Sequence, residues 1–148
     1  MLEIYTDGAT SNNGFQGAVG GWAYLMVKDD TYIGHGKGYI KDNPTNNKCE
    51  LTAIIEACKR VQDLDEDIII ISDSAYCINC YKQKWYKNWQ NNGWLNSKKQ
   101  PVANQELWEE LIPFFENSKF NFEKVKGHST NKHNNLVDKM AVEAKEKC

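Results

Sequence analysis

The sequence predicts an α/β fold: a five-stranded mixed sheet, three antiparallel strands followed by two parallel ones, flanked by helices. Three observations carry this. Leu2, Ile4 and Thr6 alternate with Glu3, Tyr5 and Asp7, the period of two of a strand. Residues 68–72 read Ile-Ile-Ile-Ile-Ser, a β-branched run of the kind found in strands covered on both faces. Between them, Leu51, Ile54, Ile55 and Cys58 recur at helical spacing. A helix joining two strands of one sheet crosses over and leaves them parallel.

The elements follow in order. The first strand covers residues 2–7, and a Gly/Asn-rich loop is expected over 8–20. Residues 21–28 and 31–40 form a hairpin that turns at Asp29-Asp30. Asn43-Pro44-Thr45-Asn46 marks a turn and a helix start, and that helix ends near 60–62. After the strand at 68–72 come short helices over 74–81 and 85–91. A loop over 93–102 contains Pro101, and a helix over 104–115 carries Pro113 near its end. Residues 120–126 supply the fifth strand and 134–145 the closing helix. No repeat, low-complexity linker or domain boundary intervenes, so residues 1–148 read as one domain.

An apolar fraction of 41% with 11% aromatic residues supports a packed core and excludes a disordered chain. A net charge of −2 excludes a globally basic nucleic-acid binder but not a local patch. From Tyr76 to Asn104 every charged side chain is positive: Lys82, Lys84, Lys87, Lys98 and Lys99. Arg60 is the only arginine, so phosphate contacts would fall to lysines, backbone N–H groups and small polar side chains. The N-terminus enters strand pattern at once, which predicts no signal peptide, and no stretch is apolar enough to span a bilayer. Five cysteines are expected as reduced thiols of a cytoplasmic protein. Cys77-x-x-Cys80 lacks a second Cys/His pair at ligand spacing and reads as helix packing.

Asp7 and Asp73 each end a strand pattern, Glu50 falls in the first turns of the first long helix, and Asp138 lies on the last helix. If the first and fourth strands are neighbours, Asp7 and Asp73 emerge together at the edge where open α/β sheets bind ligands. Two carboxylates about 4 Å apart repel by roughly 4 kcal/mol at an effective dielectric near 20. A converging set must therefore hold a proton or a divalent cation. Oxygen donors without Cys or His suit Mg2+ or Mn2+.

The element order, with Asp7-Gly8, Thr45-Asn46-Asn47-x-x-Glu50-Leu51, Asp73-Ser74-x-Tyr76, Val125-Lys126-Gly127-His128 and Asn134-x-x-x-Asp138, resembles ribonuclease H type 1 of the bacterial kind, from about residue 2 to 146. The stretch Trp85-x-x-x-Trp89-x-x-x-x-Trp94 through Pro101 to Leu107-Trp108 resembles that family's substrate-binding handle, roughly residues 82–103, and points to the bacterial branch rather than retroviral domains that lack it. The resemblance implies an RNase H-like fold and hydrolysis of the RNA strand of an RNA–DNA hybrid, leaving 5′-phosphate and 3′-hydroxyl ends. It maps the catalytic carboxylates onto Asp7, Glu50, Asp73 and Asp138, holding two Mg2+ ions (or Mn2+) roughly 3.5–4 Å apart. Glu50 would also face the ribose 2′-hydroxyl, and His128 would assist proton transfer or product release from its loop. Thr45, Asn46 and Asn47 would contact DNA phosphate and minor groove, at a helix start that favours anions.

On the handle, Trp85 would lie against DNA sugars, with Lys84, Lys87, Lys98 and Lys99 near phosphates. Asn12 or Asn13 stands in for a phosphate-contacting asparagine, and Asn13 is carried among the substrate-binding candidates. Ala75 replaces the family's glutamine, and Gln90-Asn91-Asn92 makes the handle less basic than usual. His35 and His133 read as surface histidines, and Trp89, Trp94 and Trp108 as packing. The resemblance implies a monomer with no obligate protein partner and no membrane attachment. Two rivals remain: a non-catalytic hybrid-binding module, and another nuclease of the wider superfamily.

Overall fold

The computed structural model describes residues 1–11, 17–125 and 131–147. Its elements are β1 (Leu2–Ser11), β2 (Val19–Lys28), β3 (Thr31–Ile40), α1 (Asn46–Val61), β4 (Ile68–Ser72), α2 (Ala75–Gln83), α3 (Trp85–Asn92), α4 (Gln105–Phe115), β5 (Phe120–Lys124) and α5 (Lys132–Glu146). The sheet runs β3-β2-β1-β4-β5. β1, β2 and β3 pair antiparallel, and β4 and β5 run parallel to β1, as the crossover argument requires.

Two expectations about the strands need correction. β1 does not stop at Asp7: it continues to Ser11 and pairs with a β2 that starts at Val19, with Gly8 opposite Trp22 and Thr10 opposite Gly20. Small residues on both strands let the antiparallel ladder extend through what reads as a loop. β4 is not covered on both faces either. Ile68 and Ile70 are fully buried, while Ile69 and Ile71 are only half-buried, because α5 packs over β1, β2 and β3.

Alternation along β1 divides the molecule. Leu2 and Ile4 join Leu51, Ile54, Ile70 and Trp108 in the larger core, beneath α1, α2 and α4. Tyr5, with Ala23, Leu25 and Val27, meets Val137, Met140 and Ala141 of α5 on the other face. Asp7 shares the parity of Tyr5 and so faces α5. α5 approaches so closely that a Cβ at Gly21 would lie 2.2 Å from the Ala141 carbonyl oxygen.

Helix starts follow their capping residues. Thr45 accepts from the Lys48 N–H at 3.1 Å and Ser74 from the Cys77 N–H at 3.2 Å, contacts of about 1 kcal/mol each. Asn131 caps α5 by accepting from His133 and Asn134 N–H groups. Asp29 and Asp30 sit at φ 51° and 61°, the left-handed pair that a two-residue hairpin turn needs and that Asp tolerates.

Candidate active site

The register of the central strands sets the site. The parallel ladder of β1 and β4 ends at the pair Thr6 and Ser72. Asp7 and Asp73 are the next residues on their strands and stand beside each other just past the last pair. Glu50 arrives from α1, on the opposite face, and it can do so because residue 8 is glycine. A Cβ at Gly8 would lie 2.5 Å from the Cys49 carbonyl carbon and 2.6 Å from the Glu50 nitrogen. The bare strand admits the helix, and the Gly8 N–H donates to Glu50 Oε1 at 2.6 Å. Ser72 Oγ donates to Glu50 Oε2 at 3.4 Å and accepts from the Ser74 N–H at 3.0 Å.

Asp7, Glu50 and Asp73 thus offer carboxylate oxygens within 4.8 Å of one another. Asp7 and Glu50 retain only 4% and 8% of their exposure, while Asp73 lies at the solvent rim. Burial pushes the Asp7 carboxyl up to about 11, helped by its bond to Glu50 and the charges around it. Burial also raises Glu50 to about 7, against the bonds it accepts from Asp7, Gly8 and Ser72. Burial and mutual repulsion therefore favour a proton held by the Asp7–Glu50 pair in the bare protein. Asp73 is raised by partial desolvation and by Asp138, with Lys124 opposing. Asp138, exposed on α5, reaches the cluster by its interactions with Asp7 and Asp73 rather than from within the tight group.

The remaining expected residues fall into two groups. At the start of α1, Thr45 is half-buried as the cap, while Asn46 and Asn47 are exposed. Thr10 donates to Asn46 Oδ1, which ties β1 to the helix start. The handle is rooted in the core by a ladder of rings: Trp108 to Trp89 at 5.5 Å, Trp89 to Trp85 at 6.4 Å and Trp89 to Trp94 at 5.7 Å. Trp85, Asn88, Trp89, Asn92, Leu95 and Asn96 line an open hollow of about 640 Å³. The expected loop beyond is a small closed turn, where Asn96 N–H donates to the Gln100 carbonyl at 2.8 Å and Val102 N–H to the Trp94 carbonyl at 2.9 Å.

Lys84, Lys98 and Lys99 are exposed and form no ion pair among the described residues. Lys87 differs, because its ammonium lies 2.9 Å from Glu116. His128, Asn12 and Asn13 lie outside the described residues. Sequence reasoning missed Ser72, Gly8 as the opening for Glu50, and the contacts of His133 described below. The glycine directly after Asp7 was the one available signal, since a strand glycine can mark a close backbone approach.

Cys49, Cys58, Cys77 and Cys80 are buried and unbridged. Burial holds the Cys77 thiol well above its ordinary range and pushes Cys80 up to about 12, as expected of packing residues. No helix among the described residues is long and apolar enough to cross a membrane.

A family model described as RNase H matches residues 1–146. A ribonuclease H of Thermoanaerobacter sp. (strain X514) is 43% identical over 145 residues, covering 97% of this chain and 88% of that protein. Among solved structures, the PFV RNase H domain aligns with a TM-score of 0.80 at 22% identity, over 99% of this chain and 94% of that one. LC11-RNase H1, solved in complex with an RNA/DNA hybrid, aligns with a TM-score of 0.69 at 18% identity, over 99% and 98%. Both structural likenesses concern the fold.

Proposed function

The chain belongs to the ribonuclease H family, and from that premise we propose how its residues divide the work of its reaction, endonucleolytic cleavage of RNA in RNA–DNA hybrids. The observation that carries the proposal is the convergence of Asp7, Glu50 and Asp73 within 4.8 Å. The donor set fits divalent metal: it is all oxygen, and all three of its members hold raised pKa values that a cation would relieve. We assign Mg2+, with Mn2+ as the alternative. Asp7, Glu50, Asp73 and Asp138 would hold a pair of such ions, which would supply an activated water and neutralise charge on the leaving oxygen.

The protein's own contribution is placement. Asp7, deepest and central, faces both Glu50 and Asp138 and is the natural shared ligand. Glu50 is held by the Gly8 N–H and Ser72 and stays fixed while substrate enters. Asp73 and Asp138, at the rim, meet solvent and the incoming phosphate. His128 is assigned to proton transfer or product release, leaving 5′-phosphate and 3′-hydroxyl ends.

Recognition is divided between two surfaces. Thr45, Asn46 and Asn47 present the N-terminus of α1 to the DNA strand, where the helix dipole favours phosphate. Trp85 offers a ring to DNA sugars, and Lys84, Lys98 and Lys99 supply positive charge that is unpaired among the described residues. Lys87 is the weakest of the four lysines for this role because Glu116 already neutralises it. We read residues 1–148 as one RNase H domain with its handle at 82–103, acting as a monomer. The buried, unbridged thiols support a reducing cytoplasmic setting.

Cleavage of a strand-labelled hybrid, with and without Mg2+, beside duplex RNA, duplex DNA and Asp7→Asn, tests the reading. Metal-dependent cutting of the hybrid's RNA alone, lost in the variant, is expected. Hybrid binding with no cutting under any divalent metal would move the function to a binding module.

A further inference from the structure

The apolar anchorage of α5 starts late. Its buried side chains are Val137, Met140, Ala141 and Ala144. Before them, Lys132, Asn135 and Leu136 are exposed, and Asn131, His133 and Asn134 are half-buried. What holds this first turn and a half is polar. His133 Nε2 lies 2.8 Å from Asp30 Oδ1, and Lys132 donates to Asp30 Oδ2 at 3.2 Å. The His133 ring packs on Tyr5 with centroids 5.2 Å apart, and Asn131 Nδ2 donates to the Tyr5 hydroxyl at 3.3 Å.

These contacts join the parts that matter for the cluster. Tyr5 precedes Asp7 by two residues on the same face of β1. His133 precedes Asp138 by five on α5. Asp30 comes from the tip of the β2–β3 hairpin, whose left-handed turn aims its carboxylate at the helix start. His133, then Lys132, holds the Asp30 carboxyl below its usual range, so it stands as an anion between two donors. As sources of stability these contacts are weak: Lys132 and Asp30 keep 70% and 71% of their side-chain exposure, and ion pairs in solvent contribute little. Orientation is the effect left to them.

We propose that Asp30, with His133 and Lys132, is a positioning latch that sets the start of α5 and thereby where Asp138 stands relative to Asp7. Metal affinity at the site then depends on a hairpin tip that touches neither metal nor substrate. The proposal rests on the assignment of Asp138 as a ligand.

Asp30→Asn keeps the side-chain shape and the tolerance of a left-handed turn but removes the charge. His133→Phe keeps a ring against Tyr5 and removes the nitrogen. Mg2+ binding is measured by titration calorimetry on both variants and on Asp138→Asn. Amide hydrogen exchange, thermal unfolding and the hybrid KM at saturating Mg2+ are measured in parallel. Expected in both latch variants is Mg2+ binding weakened about 3- to 10-fold, below the 10–100-fold typical of groups that touch a ligand directly. Exchange should quicken at residues 132–136, with unchanged KM and a melting temperature within about 2 °C of the parent. Unchanged Mg2+ binding in the latch variants, with binding weakened in Asp138→Asn, overturns the latch and leaves the ligand assignment standing. Unchanged binding in Asp138→Asn overturns both. Weaker binding accompanied by general loss of protection along β1 shows mere loosening of the fold and also overturns the latch.

Discussion

The carboxylate cluster draws one side chain each from β1, α1 and the end of β4, none near another in sequence, and buries two of the three. The handle is one continuous stretch that half-buries its tryptophan rings against one another and leaves its amides and lysines in water. In the cluster, each residue is fixed by strand register and close backbone approach, so almost any change is costly. In the handle, the scaffold is fixed but the polar groups are not, so charge can be gained or lost with small effect.

The largest expected effect is at Asp7. Asp7→Asn should lower hybrid cleavage by roughly 10³-fold or more while raising metal-free stability. The sign follows from the shift: the folded carboxyl is raised to about 11, while the unfolded one titrates near 3.9. The stabilising contribution is therefore complete below pH about 4 and is lost as pH rises towards 11. In chelator, the parent's melting temperature should fall as pH rises from 5 to 8, by about 5 °C or more. Asp7→Asn should flatten that slope, and thermal scans at three pH values check it. A slope unchanged in the variant would assign it to other groups.

Gly8→Ala comes next. The added methyl meets the α1 backbone, which cannot give, so about 1–3 kcal/mol of stability should be lost. Activity should fall about 10- to 100-fold as Glu50 is pushed off Asp7. Urea unfolding and kcat at saturating hybrid read the two effects. Retained activity would show that Glu50 does not depend on the close approach.

Smaller effects belong to the handle. Lys98→Gln with Lys99→Asn keeps the turn, since Asn tolerates the positive φ of residue 99. It should raise KM by a few-fold and reduce the slope of log affinity against log salt by about 1–2. An unchanged slope would show that neither lysine touches phosphate. Lys87→Gln should change that slope least, because its Glu116 partner already occupies it; a slope change as large as that of the double variant would reverse this ranking.

Much of this was legible because it depends on order and period. The strand alternation around Tyr5 and the crossover rule together bring Asp7 beside Asp73, and Thr45 announces the helix that carries Glu50. The extension of β1 to Ser11 was hidden because Gly8 and Ala9 have weak strand preference, and a partner strand is what recruits them. The open face at Ile69 and Ile71 was hidden because an isoleucine run looks the same under one layer of helix as under two. The role of His133 was hidden because its partner, Asp30, is 103 residues away, and no local pattern links a hairpin tip to a helix start.

The close approach at Gly21 gives α5 a fulcrum. The Ala141 carbonyl and the Lys145 backbone rest on the β2 backbone with no side chain between, so under the latch proposal the helix tilts there rather than slides. Asp138 lies about 4.5 Å along the axis from that point, and His133 about 12 Å. Play at the far arm is thus reduced to roughly two-fifths at Asp138, and the helix works as a lever that turns coarse adjustment at the hairpin into fine adjustment at the carboxylate.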